Sequence, residues 1–170
     1  MSHRSLAVPG TVLAAAALII TSAAPASAHA IVALDGAPAY AGKSSTITIE
    51  LQHGCGGNQL GIDKVVARFG KEFGKITPRA VAGWTAKTKR TTDGRKVIWK
   101  LTGAVPAFNA PTYFRMKISW PKEPGVYGVP VIQRCNGEVV RWEIPDGPAT
   151  ADKPSPPLYP LPQIQVLPAR

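Results

Sequence analysis

The stretch Ser44–Gln52 (SSTITIELQ) alternates apolar and polar residues with a period of two, and an extended backbone sorts such a pattern onto two faces. Ile47, Ile49 and Leu51 fall on one side; Thr46, Thr48 and Glu50 fall on the other. Tyr113–Trp120 (YFRMKISW) repeats the device, opposing Phe114, Met116, Ile118 and Trp120 to Arg115 and Lys117. Ile62–Phe69, Lys96–Leu101, Val129–Arg134 and Val139–Ile144 are further strand candidates. The last two flank Cys135-Asn136-Gly137-Glu138, where Asn-Gly supplies the positive φ angles of a tight hairpin. The chain is punctuated by 17 prolines and 16 glycines, with no long helical period between them. The sequence therefore predicts an all-β chain of about seven or eight short strands arranged as a β-sandwich.

Two segments fall outside that pattern. Residues 1–28 read as a secretory signal: His3 and Arg4 near the start, an apolar stretch from Val12 to Ile20, and the small-residue exit Pro25-Ala26-Ser27-Ala28. Val12–Ile20 is too short to span a bilayer, and no later run is long and apolar enough to act as a transmembrane anchor. The expectation is a secreted or otherwise extracytoplasmic protein of the cell envelope, cleaved after Ala28 and beginning His29-Ala30-Ile31-Val32. At the other end, prolines crowd residues 148–170 into an extended, proline-rich C-terminal tail. Ile164, Val166 and Leu167 would let that tail dock as an edge strand, and composition leaves this open. The sandwich domain is thus expected over residues 29–147. Cys55 and Cys135 lack CxxC or CxH spacing, so an oxidised pair is expected over a thiolate metal pair. A bridge closing a loop of about 80 residues contributes roughly 4–5 kcal/mol in the chain-entropy model.

The formal charge is +10, and Arg4 is the only charged side chain among residues 1–28. The basic residues are scattered, with no aromatic-interleaved motif, which together with the export signal argues against a nucleic-acid partner. They read as a solvated face, or as one attracted to anionic lipid heads or wall polymers. No GxSxG nucleophile turn and no phosphate-cradling glycine loop before a helix is present, so the reading is of a non-enzyme.

Chemistry concentrates on a few residues. Once exposed as the first residue, His29 offers an α-amine and a ring Nδ1 that close one chelate ring on a divalent metal, copper(II) above all. His53, in Gln52-His53-Gly54-Cys55, reads either as a ligand or as a hydrogen-bonded residue beside the disulfide. Glu50, Asp35, Glu138 and Glu143 are carboxylates that could complete a coordination sphere or simply be solvated. Trp142 reads as core, or as an indole whose π-face shields a cation.

Taken together, the Ala-His boundary, His53-Gly54-Cys55, Gly83-Trp84, Val131-Ile132-Gln133-Arg134-Cys135 and Val140-Arg141-Trp142-Glu143-Ile144-Pro145 resemble the YcnI-like domain family of exported bacterial proteins. That resemblance implies an immunoglobulin- or cupredoxin-like β-sandwich that binds copper(II) through a single-histidine brace. His29 would supply amine and imidazole, and Trp142 would lie over the ion. The family glutamate falls near Gly61–Val66, where this chain offers Asp63; Glu50 and His53 are the other candidates for the third position. The implied role is copper sequestration or delivery, with another extracytoplasmic copper carrier or a membrane copper transporter as partner. The rival readings are a metal-free secreted interaction or cell-surface domain, and a copper oxygenase in which His53 provides a second histidine.

Overall fold

The computed structural model describes residues 29–56, 59–150 and 152–170; the signal segment 1–28 lies outside the described residues. Eleven strands are present among them. In chain order they are β1 (Ala30–Leu34), β2 (Ser44–Leu51), β3 (Lys64–Gly70), β4 (Ile76–Pro78), β5 (Trp84–Thr91) and β6 (Gly94–Leu101). There follow β7 (Thr112–Ser119), β8 (Gly125–Gly128), β9 (Val131–Cys135), β10 (Glu138–Trp142) and β11 (Gln163–Val166). One sheet runs β1-β2-β7-β4, a second runs β10-β9-β3-β6-β5, and β11 pairs with β8 in a small third. All the strand pairings are antiparallel. The chain is an all-β sandwich.

Strand alternation builds the core. Ile47, Ile49 and Leu51 of β2 and Phe114, Met116 and Ile118 of β7 are all buried, and Ile47↔Met116 and Ile49↔Phe114 lie directly opposite each other. The second sheet contributes Val65, Ala67 and Phe69 from β3 and Val97 and Trp99 from β6. The layers meet at Trp99 and Phe114, whose ring centroids are 5.1 Å apart; Trp84 meets Phe114 edge-on at 4.9 Å. Trp120 is buried too, and its indole N–H donates to Ser45 Oγ at 2.8 Å, so the polar end of the ring is satisfied.

The β9–β10 hairpin turns on Asn136 (φ 47°) and Gly137 (φ 101°), two left-handed positions that match the Asn-Gly signal. Cys55 and Cys135 form a disulfide with their Cα atoms 5.8 Å apart, tying the turn after β2 to the end of β9. Strand β5 was not foreseen. From Thr85 onward its residues are exposed on both sides, so no apolar alternation marks it; its ladder with β6 and a Thr88 hydroxyl bond to the Ile76 carbonyl hold it in place.

The proline-rich tail docks. Ile164 and Val166 of β11 are buried in the core, and β11 pairs with β8 from Gln163↔Gly128 to Val166↔Gly125. Beyond it the Leu167 N–H donates to Ala39 O (2.8 Å), while the Ala41 N–H donates to Leu167 O (2.9 Å). Because these contacts belong to the main core, Ile164→Ala is expected to destabilise the protein by about 2–5 kcal/mol, read as the shift in a urea midpoint. An unchanged midpoint would show that the tail is an appendage.

Candidate functional site

The register of β1 against β2 arranges the end of the four-stranded sheet. Ala30 pairs with Leu51 and Ile31 with Glu50, and Ala30 and Leu51 are both buried. The side chains of Ile31 and Glu50 therefore project from the opposite, outer face. His29 directly precedes the first pair and stands just outside the ladder. If the extended backbone continued one residue further, His29 would lie diagonal to Glu50, at about 7–8 Å between Cα atoms. Both residues are half-buried, and Gln52 Nε2 donates to Glu50 Oε1 at 3.2 Å, which steadies the carboxylate. β1 is the edge of its sheet, and a cleft of about 270 Å³ lies beside it. His29 to Val32 form one wall; Asp146 and Pro160 to Gln163 form the other. Sequence reasoning missed Asp146, because nothing in its local sequence signals that the tail folds back beside β1.

A second group centres on Gln133, a fully buried polar residue of β9. Its Nε2 donates to the backbone carbonyl of His53 at 2.6 Å, and its Oε1 accepts the indole N–H of Trp142 at 3.2 Å. The same Nε2 stands 3.6 Å from Cys135 Sγ, beside the disulfide. Trp142 is 2% exposed and packs edge-on against Tyr159 of the tail, with ring centroids 5.4 Å apart. Gln133 therefore ties the His53 backbone to the Trp142 indole.

Asp63 has different work. Its Oδ2 accepts the backbone N–H of Asn136 at 2.6 Å, which anchors the β9–β10 turn. Its own backbone bridges neighbouring strands, with its N–H donating to Arg134 O and its carbonyl accepting from the Leu101 N–H, both at 2.9 Å. Asp35 is engaged by Thr48 Oγ1 (2.7 Å) and by Arg115 Nε (3.5 Å). Among the described residues no three His, Cys, Asp or Glu side chains converge as a metal cluster.

A family model for a domain of unknown function, DUF1775, matches residues 29–164, starting at His29. The chain belongs to the DUF1775 family. This is the family of the YcnI-like proteins that the sequence resembles. Among solved structures, an uncharacterized protein from Nocardia farcinica with an immunoglobulin-like fold is 19% identical, at a TM-score of 0.67. That match covers 84% of this chain and 99% of the other, and establishes the immunoglobulin-like fold for this DUF1775 member. A DUF4466 family protein from Parabacteroides merdae aligns at 12% identity over 71% of this chain and 44% of its own, with a TM-score of 0.35. No curated protein matches the chain.

Gln133→Leu leaves the Trp142 N–H and the His53 carbonyl without their partner in a dry interior. The expected loss is about 2–4 kcal/mol of stability, accompanied by a changed tryptophan emission spectrum. Unchanged stability and emission would show that the two hydrogen bonds are dispensable.

Proposed function

We propose that this DUF1775 protein binds copper(II) outside the cytoplasm and holds it for sequestration or for transfer to a carrier or transporter. With the chain beginning at His29, the α-amine and imidazole of that residue supply two nitrogens and Glu50 supplies an oxygen. This is a donor set suited to copper(II) in tetragonal geometry. The observation that carries the reading is the β1–β2 register, which sets Ala30, the residue after His29, across from Leu51, the residue after Glu50. Trp142 is no part of this donor set: its indole is buried in the core, bonded to Gln133 and packed on Tyr159. The disulfide supports an oxidising compartment, as does the start of the family match at the residue following the expected cleavage site.

Glu50 is our choice for the third ligand, because the Asp63 carboxylate already accepts the Asn136 N–H. Coordination requires the amine and imidazole to be free of protons, so affinity falls as the solution is acidified.

Calorimetric titration of residues 29–170 with copper(II) tests the reading. One equivalent is expected to bind. A four-residue extension before His29, which moves the amine out of the chelate ring, is expected to weaken binding at least about 100-fold. Glu50→Gln should weaken it by about 10–100-fold and Asp63→Asn should leave it unchanged. Equal affinity of the extended and unextended chains would refute the brace.

A further inference from the structure

The outer face of the five-stranded sheet carries a charge pattern that copper binding does not use. Lys100 of β6 lies directly across from Lys64 of β3, which lies across from Arg134 of β9. Four residues along the strands, Lys89 of β5 lies across from Lys96 of β6, and Lys96 across from Arg68 of β3. Two parallel rows of three cations thus cross the sheet, about 13 Å apart at roughly 3.3 Å per residue. Between them runs a strip of Ile98, Val66 and Ile132, of which the last two are 9% and 8% exposed. Lys87 and Arg141 close the two ends of that strip.

No strand residue on this face is acidic. Ion pairs among the described residues are Arg115–Asp35 and Arg141–Glu143, so neither row is neutralised within the protein. Like charges directly opposite one another across strands are destabilising. The two rows contain four such contacts; Asp93 of the β5–β6 turn lines a cleft with Arg68 and Lys96 but forms an ion pair with neither. The lysines also line a groove of about 490 Å³, with Lys64 and Lys100 near one end and Lys89 and Lys96 near the other.

We infer that this face is a docking surface for a linear phosphate polyanion of the extracytoplasmic space. Charge complementarity carries the assignment, and the details of the face narrow it. Its apolar strip is recessed, so it offers no wedge for a bilayer. The sheet's three tryptophans turn inward, Trp99 and Trp142 into the core and Trp84 onto it, so no aromatic platform awaits a nucleobase. Four of the six row cations are lysines, whose ammonium groups meet phosphate as point charges rather than as the planar fork that arginine offers.

The test is binding of inorganic polyphosphate to residues 29–170 without added copper, titrated across a range of sodium chloride. Binding is expected at low salt, with log affinity falling against log salt at a slope of about −3 to −5. Lys64→Glu/Lys96→Glu puts one opposite charge into each row. It is expected to weaken binding at least 10-fold while melting at or above the wild-type temperature. Lys71→Glu/Lys122→Glu makes the same change in net charge at exposed loop positions and is expected to lose less than 3-fold. Three results would overturn the inference: no binding at low salt, equal losses in the two double variants, or tighter binding at equal charge to single-stranded DNA or anionic vesicles than to polyphosphate. Because copper is omitted, these outcomes leave the brace untouched, and failure of the brace leaves this face untouched.

Discussion

A single carboxamide sits where three distant parts of the chain must agree. Gln133 lies in the dry interior beside the Cys55–Cys135 bridge. With one amide it holds the His53 carbonyl, and with the other end it holds the Trp142 indole. A buried amide left unpaired is penalised by more than a satisfied one contributes, so the geometry here is specified by what it excludes. The turn after β2 is fixed relative to β9 and β10, and the disulfide locks the same junction covalently. The place of β1 at the sheet edge, and with it the place of His29, follows from the end of β2.

Much of this was written in the residues, and the exceptions have physical causes. Strands β2 and β7 were legible because they are buried on one face and wet on the other, so each core residue announces itself by alternation. The β9–β10 hairpin was legible because Asn136 and Gly137 are the residue types that tolerate positive φ. Strand β5 was illegible for the opposite reason: beyond Trp84 both its faces meet solvent, and its lysines and threonines discourage edge-to-edge pairing. The tail's role depended on distant partners. Proline content described its extended backbone correctly, but only the positions of β8 and Ala39 decide that Ile164, Val166 and Leu167 have somewhere to dock.

The candidate site was legible in its residue types and only partly in its arrangement. An Ala-x-Ala exit before a histidine singles out His29 without any structure. What Glu50, Asp63 and His53 are engaged in required the structure, because sequence distance does not reveal partners. Glu50 accepts from Gln52; the Asp63 carboxylate is taken by the Asn136 amide; the backbone of His53 serves Gln133. Asp146, brought beside β1 by the tail, carried no local signal at all. A formal charge of +10 also bears on function. Long-range electrostatics repels a divalent cation from such a surface, so under the proposed reading copper affinity would come from chelation at short range rather than from steering. The same charge, concentrated in two rows on the other sheet, favours anionic polymers.

The electron paramagnetic resonance spectrum of copper(II) added to the chain beginning at His29 reads the ligand atoms themselves. An axial spectrum with hyperfine structure from an amine and one imidazole nitrogen is predicted, with the imidazole contribution vanishing in His29→Ala. A spectrum that His29→Ala leaves unchanged would contradict the account, because the ion would then be held by some other part of the molecule.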